Sequence, residues 1–246
     1  MQVVNVGDLT VDVIWKDIRN LHLSVHPPTG RIRIAAPRTL DLDAVRAFAI
    51  SRLGWIRKNQ RKLVAQPREA MRDYIDRESH YVWGERVLLR LLHQDGPPSV
   101  RLTHRSLVVC APSRMSRDDR HALVEAWYRE SLRQAAAPVV ARRERQLGVT
   151  AKRLFVQRMK TRWGSCHPDS GNIRLNTELA KKPPECLDYV VLHELAHLRE
   201  RTHTDSFYQL LDSHLPQWRD IRQMLNSLPL SAWTAQSTQP DAGRQA

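Results

Sequence analysis

The stretch Val191-Leu192-His193-Glu194-Leu195-Ala196-His197 holds two histidines four residues apart, with a glutamate directly after the first. That is the H-E-x-x-H spacing of metal-dependent hydrolases, where two imidazoles bind a cation and the glutamate serves as base. On a helix, His193 and His197 lie about 40° apart around the axis and roughly 6 Å apart along it. Imidazoles so placed can converge on one Zn2+ at about 2.0–2.1 Å each. Glu194 projects about 100° from His193 and about 60° from His197, so it flanks the cation without facing it. A carboxylate in that position suits a general base acting on an attacking water, which makes Glu194 the candidate catalytic residue.

A catalytic zinc takes three protein ligands and keeps one position open. His203 is the expected third. It would fall about 120° off the ligand face of a continuing helix, so the chain must leave the helix near Arg201. Thr204 or Asp205 can cap the next helix, which places His203 in the corner between the two. Glu200 is a rival on the His193/His197 face, but three ligands along one helix span roughly 10 Å, too far for one coordination shell. His214 lies further on and is expected at the surface, and no Glu follows Glu200 to serve as a downstream ligand.

The elements that must position these residues can be read around them. Tyr189-Val190-Val191-Leu192 makes the approach to His193 apolar, so a helix from about 185 to 201 belongs in a core with its ligands facing a cleft. Before it, Arg153–Met159 reads as a strand. Lys160–Cys166 and Asn172–Asn176 then form a hairpin around His167-Pro168-Asp169-Ser170-Gly171. Arg158, Lys160 and Arg162 alternate along this stretch and would share a strand face, a candidate surface for an anionic substrate. Gly164 suits a bend or a close approach of chains. Ser165 and Cys166 have no evident paired base, so structural roles are expected for them.

A long helix is expected from Arg117 to Leu147, broken or kinked at Pro138 and ended by Gly148. Shorter helices follow over 205–211 and 217–225. The first third reads as β-rich, with runs at Val3–Val6, Leu9–Trp15, Leu21–Val25 and Arg31–Ala35, then one helix over Ala44–Leu63. Tyr81–Arg90 suggests a hairpin turning at Gly84-Glu85, and Ser106–Pro112 echoes Arg31–Pro37 in being followed by an acidic pair and a helix. These elements divide the chain into a β-rich region over 1–115, a compact domain over 116–230 and a polar tail over 231–246.

Composition narrows the class. Hydrophobic residues at 41% and charged residues at 26% sit at globular averages, which argues against wholesale disorder. No apolar run reaches the roughly 18 residues of a membrane span, so no membrane association is expected. Three scattered cysteines are too few for a disulfide framework, and a reducing, cytoplasmic setting is the expectation. The excess of 39 Lys+Arg over 26 Asp+Glu gives +13, which attracts nucleic acid or anionic nucleotides non-specifically.

Four blocks, Arg158–Cys166, Ile173–Asn176, Leu187–His197 and His203–Phe207, together resemble the YgjP-like metallopeptidase family, bacterial zinc-dependent hydrolases related to SprT-like and WLM-like proteases. The motifs concentrate in residues 153–225. The resemblance implies His193, His197 and His203 as metal ligands, Glu194 as the base, and Zn2+ or another divalent metal as cofactor. The fold it implies is α+β, with the N-terminal β-rich region followed by a compact zincin-like domain whose H-E-x-x-H helix packs on a small sheet. The expected function is a zinc-dependent metallopeptidase acting on a peptide or protein. The alternative, an activity ascribed to some YgjP-like proteins, is hydrolysis of nucleoside triphosphates. A nucleic-acid module with a structural zinc fits less well, since structural sites favour four protein ligands.

Overall fold

The structure, a computed structural model, describes residues 2–26, 29–65, 71–159 and 162–228. The expected polar tail and Lys160 lie outside the described residues. The chain divides into two compact units, 1–69 and 70–231.

In the first unit, strands β1 (Gln2–Val6), β2 (Leu9–Lys16), β3 (His22–His26) and β4 (Arg31–Pro37) form a sheet of order β1-β2-β4-β3. β2 and β4 run parallel, and each outer strand pairs antiparallel with its neighbour. Alternation puts Ile32 and Ile34 on one face of β4, where they meet Val11 and Val13 of β2 and Val45, Ala49 and Ile56 from the helices. The single helix expected over 44–63 is two helices, α1 (Leu42–Ser51) and α2 (Leu53–Ala65), interrupted at Arg52. Asp41 caps α1 by accepting from the Ala44 N–H at 2.7 Å.

The second unit repeats the strand pattern. β5 (Ser79–Val82), β6 (Glu85–His93), β7 (Ser99–Leu102) and β8 (Ser106–Ala111) form a sheet of order β5-β6-β8-β7, again with a parallel central pair and antiparallel outer pairs. A third sheet, from β9 (Arg153–Gln157), β10 (Gly164–His167) and β11 (Asn172–Asn176), has the same arrangement without the first strand. In it β9 and β11 are parallel, and β10 pairs antiparallel with β11 at the sheet edge. The echo between Arg31–Pro37 and Ser106–Pro112 thus reflects one strand arrangement used three times, each time leading into a helix.

α3 (Arg117–Leu147) runs unbroken through Pro138 and ends at Gly148, whose φ of 63° is left-handed. After β11 come a short 3-10 helix over Thr177–Lys181, then α4 (Pro184–Ala196), α5 (Asp205–His214) and α6 (Trp218–Ser227). α4 is apolar nearly all round and buries Leu187, Val191, Leu192 and Leu195, so it sits at the centre of this unit. It packs against α3, α5, α6, β10 and β11.

Two expectations about organisation are corrected here. The boundary expected at 115/116 falls instead near 69/70, because β5–β8 share one core with α3 and α4. The Tyr128 hydroxyl of α3 donates to the Tyr81 carbonyl at 2.8 Å, and the Trp83 N–H donates to Ala180 O at 2.8 Å. The β5–β6 turn needs Gly84, whose φ is +85° and whose missing Cβ would lie 2.9 Å from Pro183 at the start of α4. The second correction concerns Arg158–Arg162: β9 stops at Gln157 and β10 starts at Gly164, so neither Arg158 nor Arg162 lies on a strand.

Candidate active site

α4 ends at Ala196, earlier than the Arg201 expected from the sequence. His197 caps it with helical backbone, and the Leu198, Arg199 and Glu200 N–H groups close a tight turn onto Leu195 O and Ala196 O. This early exit gives the chain room to return. Thr204 caps α5 by accepting from the Phe207 N–H at 3.3 Å, which holds His203 in the corner.

His193, His197 and His203 therefore meet. Each offers one ring nitrogen, and the three atoms lie within 4.8 Å of one another. Nε2 of His193 and Nε2 of His203 are 3.2 Å apart. Ligands about 2.05 Å from a tetrahedral cation stand about 3.3 Å apart, so this pair fits one ion. A direct bond between two rings has a similar length; the third imidazole at the same point is what distinguishes a cation site. Nδ1 of His197 lies 3.1 Å from the Glu200 carbonyl, a contact that selects the tautomer with a free Nε2 lone pair. Nδ1 of His193 is buried without a hydrogen-bond partner among the described residues. That ring is oriented by packing, edge-on to Phe207 and tilted against Tyr189.

Phe207, fully buried, is a floor beneath all three imidazoles, with ring centroids 5.1, 4.7 and 4.8 Å from those of His193, His197 and His203. Burial and the neighbouring imidazoles push the His193 pKa down to about 3 and lower that of His197 as well. Both rings are thus neutral at pH 7, the form that binds a metal.

Glu194 is 6% exposed and lies under β10. Burial pushes its pKa up to about 7, while the nearby Arg162 charge and a hydrogen bond from the Cys166 N–H pull it down. A carboxylate poised near neutrality matches the task of a general base. Cys166 is pushed up to about 11 by burial and by Glu194, so its thiol stays protonated at neutral pH. Neither it nor Ser165 has a basic partner among the described residues, which agrees with structural roles.

These groups line one cavity of about 500 Å3. Its walls include Arg162, Arg201 and Arg222, and Glu194 is its one carboxylate among the described residues. Arg201 is paired with Asp169 at 2.6 Å, whereas Arg162 and Arg222 have no carboxylate partner among the described residues. Of the three basic residues singled out in the sequence, Arg162 enters the cavity, Arg158 lies close enough to His121 to lower its pKa, and Lys160 lies outside the described residues. Sequence reasoning missed Arg222, Tyr208, Trp218 and Phe207, which arrive from α5 and α6. Trp218 stacks between Tyr189 and Tyr208 with planes 8° apart on each side, so α6 is bound to α4 and α5 by an aromatic ladder. Only the i, i+4 placement of Trp218 and Arg222 hinted that one face of α6 reaches the site.

α4 itself is held from behind. The Arg143 guanidinium, 4% exposed, donates to both carboxylate oxygens of Asp188 at 2.8 and 2.7 Å and to the His214 carbonyl at 2.9 Å. This bidentate pair joins α3 to α4 and α5. Hydrogen bonds from Arg143 and Arg142 hold the Asp188 carboxyl below its usual range, against the opposing effect of burial.

An α+β domain that gathers an H-E-x-x-H helix and a third imidazole at one cavity has the make-up of a metal-dependent hydrolase. The chain belongs to the YgjP-like, metallopeptidase domain family, which matches it over residues 19–228. The UTP pyrophosphatase of Escherichia coli (strain K12) is 40% identical over 62 residues, a stretch covering 24% of this chain and 37% of that protein. Among solved structures, the metallopeptidase zymogen abylysin of Pyrococcus abyssi aligns with a TM-score of 0.35 at 21% identity, covering 37% of this chain and 90% of its own. The zymogen jannalysin of Methanocaldococcus jannaschii aligns with a TM-score of 0.34 at 21% identity, covering 37% and 86%. No described helix is long and apolar enough to cross a membrane.

Proposed function

We propose that this protein hydrolyses a phosphoanhydride bond in a nucleoside triphosphate, with a divalent cation, zinc by the chemistry of its donors, held by His193, His197 and His203. The observation that carries this reading is the cavity's charge. Arg162 and Arg222 face the same space as the imidazoles with no ion-paired carboxylate among the described residues, Glu194 alone feeling the Arg162 charge, which suits an anion with several phosphate oxygens. The 40% identity with a UTP pyrophosphatase supports it. A peptide, first on sequence grounds, becomes the second reading. It is favoured by β10, an edge strand at the cavity rim that can pair with an extended chain.

The bound cation supplies Lewis acidity and lowers the pKa of water at the site. Glu194 takes the proton of the attacking water and passes it to the leaving oxygen. Arg162 and Arg222 bind phosphate oxygens of the nucleotide through charge-assisted hydrogen bonds.

The test is direct. Metal-loaded protein is incubated with UTP and, separately, with a casein-derived peptide mixture, and products are resolved chromatographically. Release of pyrophosphate or phosphate that disappears in Glu194→Gln and falls in Arg162→Ala supports the nucleotide reading. Peptide cleavage lost in Glu194→Gln, with UTP untouched, would replace it with the peptidase.

A further inference from the structure

We infer that Asn176 is a positioning residue for the site: its side-chain amide clamps the backbone on both sides of residues 160 and 161 and so aims Arg162 into the cavity. The inference rests on the reading above in one respect, that Arg162 binds substrate.

Asn176 is the last residue of β11 and is 4% exposed. Its Nδ2 donates to Met159 O at 3.0 Å and to Arg162 O at 2.7 Å. Its Oδ1 accepts from the Met159 N–H at 3.3 Å and from the Glu178 N–H at 3.2 Å, the latter capping the 3-10 helix. Its own N–H donates to Trp163 O at 2.8 Å. Both donors and both acceptor lobes of one amide are therefore used on backbone groups.

The position explains why a carboxamide stands there. Met159 and Arg162 lie outside β9 and β10, so neither belongs to a strand ladder that would satisfy its backbone groups. Asn176 supplies the missing partners from the neighbouring strand. Aspartate has no donors for the two carbonyls, and a glutamine side chain is one methylene too long to keep the same geometry. From the clamped point the chain carries Arg162 into the cavity wall and enters β10, where Gly164 and Cys166 lie over Glu194. The two sequence blocks around Trp163-Gly164 and Leu175-Asn176 thus form one device.

The experiment compares the metal-loaded wild type with Asn176→Ala and with Asn176→Asp, which keeps the shape and both acceptors and so preserves the 3-10 cap. Hydrogen exchange followed by mass spectrometry should show faster exchange across 159–166 in both variants, with α4 and metal content as in the wild type. With UTP, KM should rise about tenfold and kcat change less, as expected when a charge-assisted contact to substrate is misplaced. The double variant Asn176→Asp/Arg162→Ala should be no worse than Arg162→Ala alone, because the two act through one contact. Unchanged exchange, or additive losses in the double variant, overturns the inference. Exchange needs no substrate: a protein inert to UTP would defeat the nucleotide reading and leave the exchange result to decide the role of Asn176.

Discussion

A Cβ on Gly164 would stand 2.7 Å from Oε1 of Glu194 and 2.8 Å from its Cγ, so the strand and this carboxylate are in contact with no room for a methyl group. The same methyl would meet Val190 at 2.9 Å. Glycine is required here by proximity and not by backbone conformation.

Gly164→Ala should therefore displace Glu194 while leaving the three imidazoles in place. Displacements on the order of 1 Å cost roughly a hundredfold in rate. The expected outcome is that loss in kcat with zinc content near the wild-type value by elemental analysis. A variant as active as wild type would show that Glu194 is not held by β10.

Glu194→Gln should lower kcat by about 10²–10⁴ with the metal retained. The same residue leaves a mark on stability in metal-stripped protein. Its folded pKa, about 7, lies above the ordinary 4.5, so the folded state holds an extra proton between those values and loses stability as pH rises through them. The difference amounts to about 3 kcal/mol at most. His193 acts oppositely: its depressed pKa, about 3, means stability is lost as pH falls below 6.5. Comparing melting temperatures of wild type and Glu194→Gln at pH 5 and pH 8 isolates the first effect. The variant should gain on the wild type at pH 8 and not at pH 5.

His203→Ala should abolish tight zinc retention, and His214→Ala should not. His214 lies at the end of α5, and its main contribution to the core is its carbonyl, which a substitution leaves in place. Dialysis followed by elemental analysis decides between them. Equal losses would remove His203 from the ligand set.

Breaking the Arg143–Asp188 pair should be costly, because the Arg143 side chain is 5% exposed and its removal leaves a half-buried carboxylate with only Arg142 as ion-pair partner among the described residues. Arg143→Met is expected to lose about 2–3 kcal/mol in a denaturant titration. Because the Asp188 carboxyl is held below its ordinary value, its contribution is present above about pH 4 and fades as pH falls further. The stability gap between wild type and Arg143→Met should narrow in acid.

How much of this was legible in advance follows from how local each signal is. The His193/His197 spacing, the adjoining Glu194 and a cap at Thr204 or Asp205 are set within a few residues by helix geometry and hydrogen bonding, so residue order alone disclosed them, and the structure chose Thr204. The hairpin around residues 168–171, the span of the helix over Arg117–Leu147 and its Gly148 end were readable for the same reason, whereas the helix runs unbroken where a break or kink was expected at Pro138. What the chain could not disclose in one dimension came from contacts between distant segments. The domain boundary moved because β5–β8 lend their apolar faces to α3 and α4. Arg162 reaches the cavity from a residue outside the strands whose backbone carbonyl is held by Asn176 of another strand. Arg222 and the Tyr189–Trp218–Tyr208 ladder reached the cavity, and Phe207 its place beneath the imidazoles, only when α5 and α6 closed on α4. Local spacing thus settled which side chains can bind a cation and move a proton. Packing across the chain settled what else faces them, because charge and shape in a cavity are properties of every wall at once.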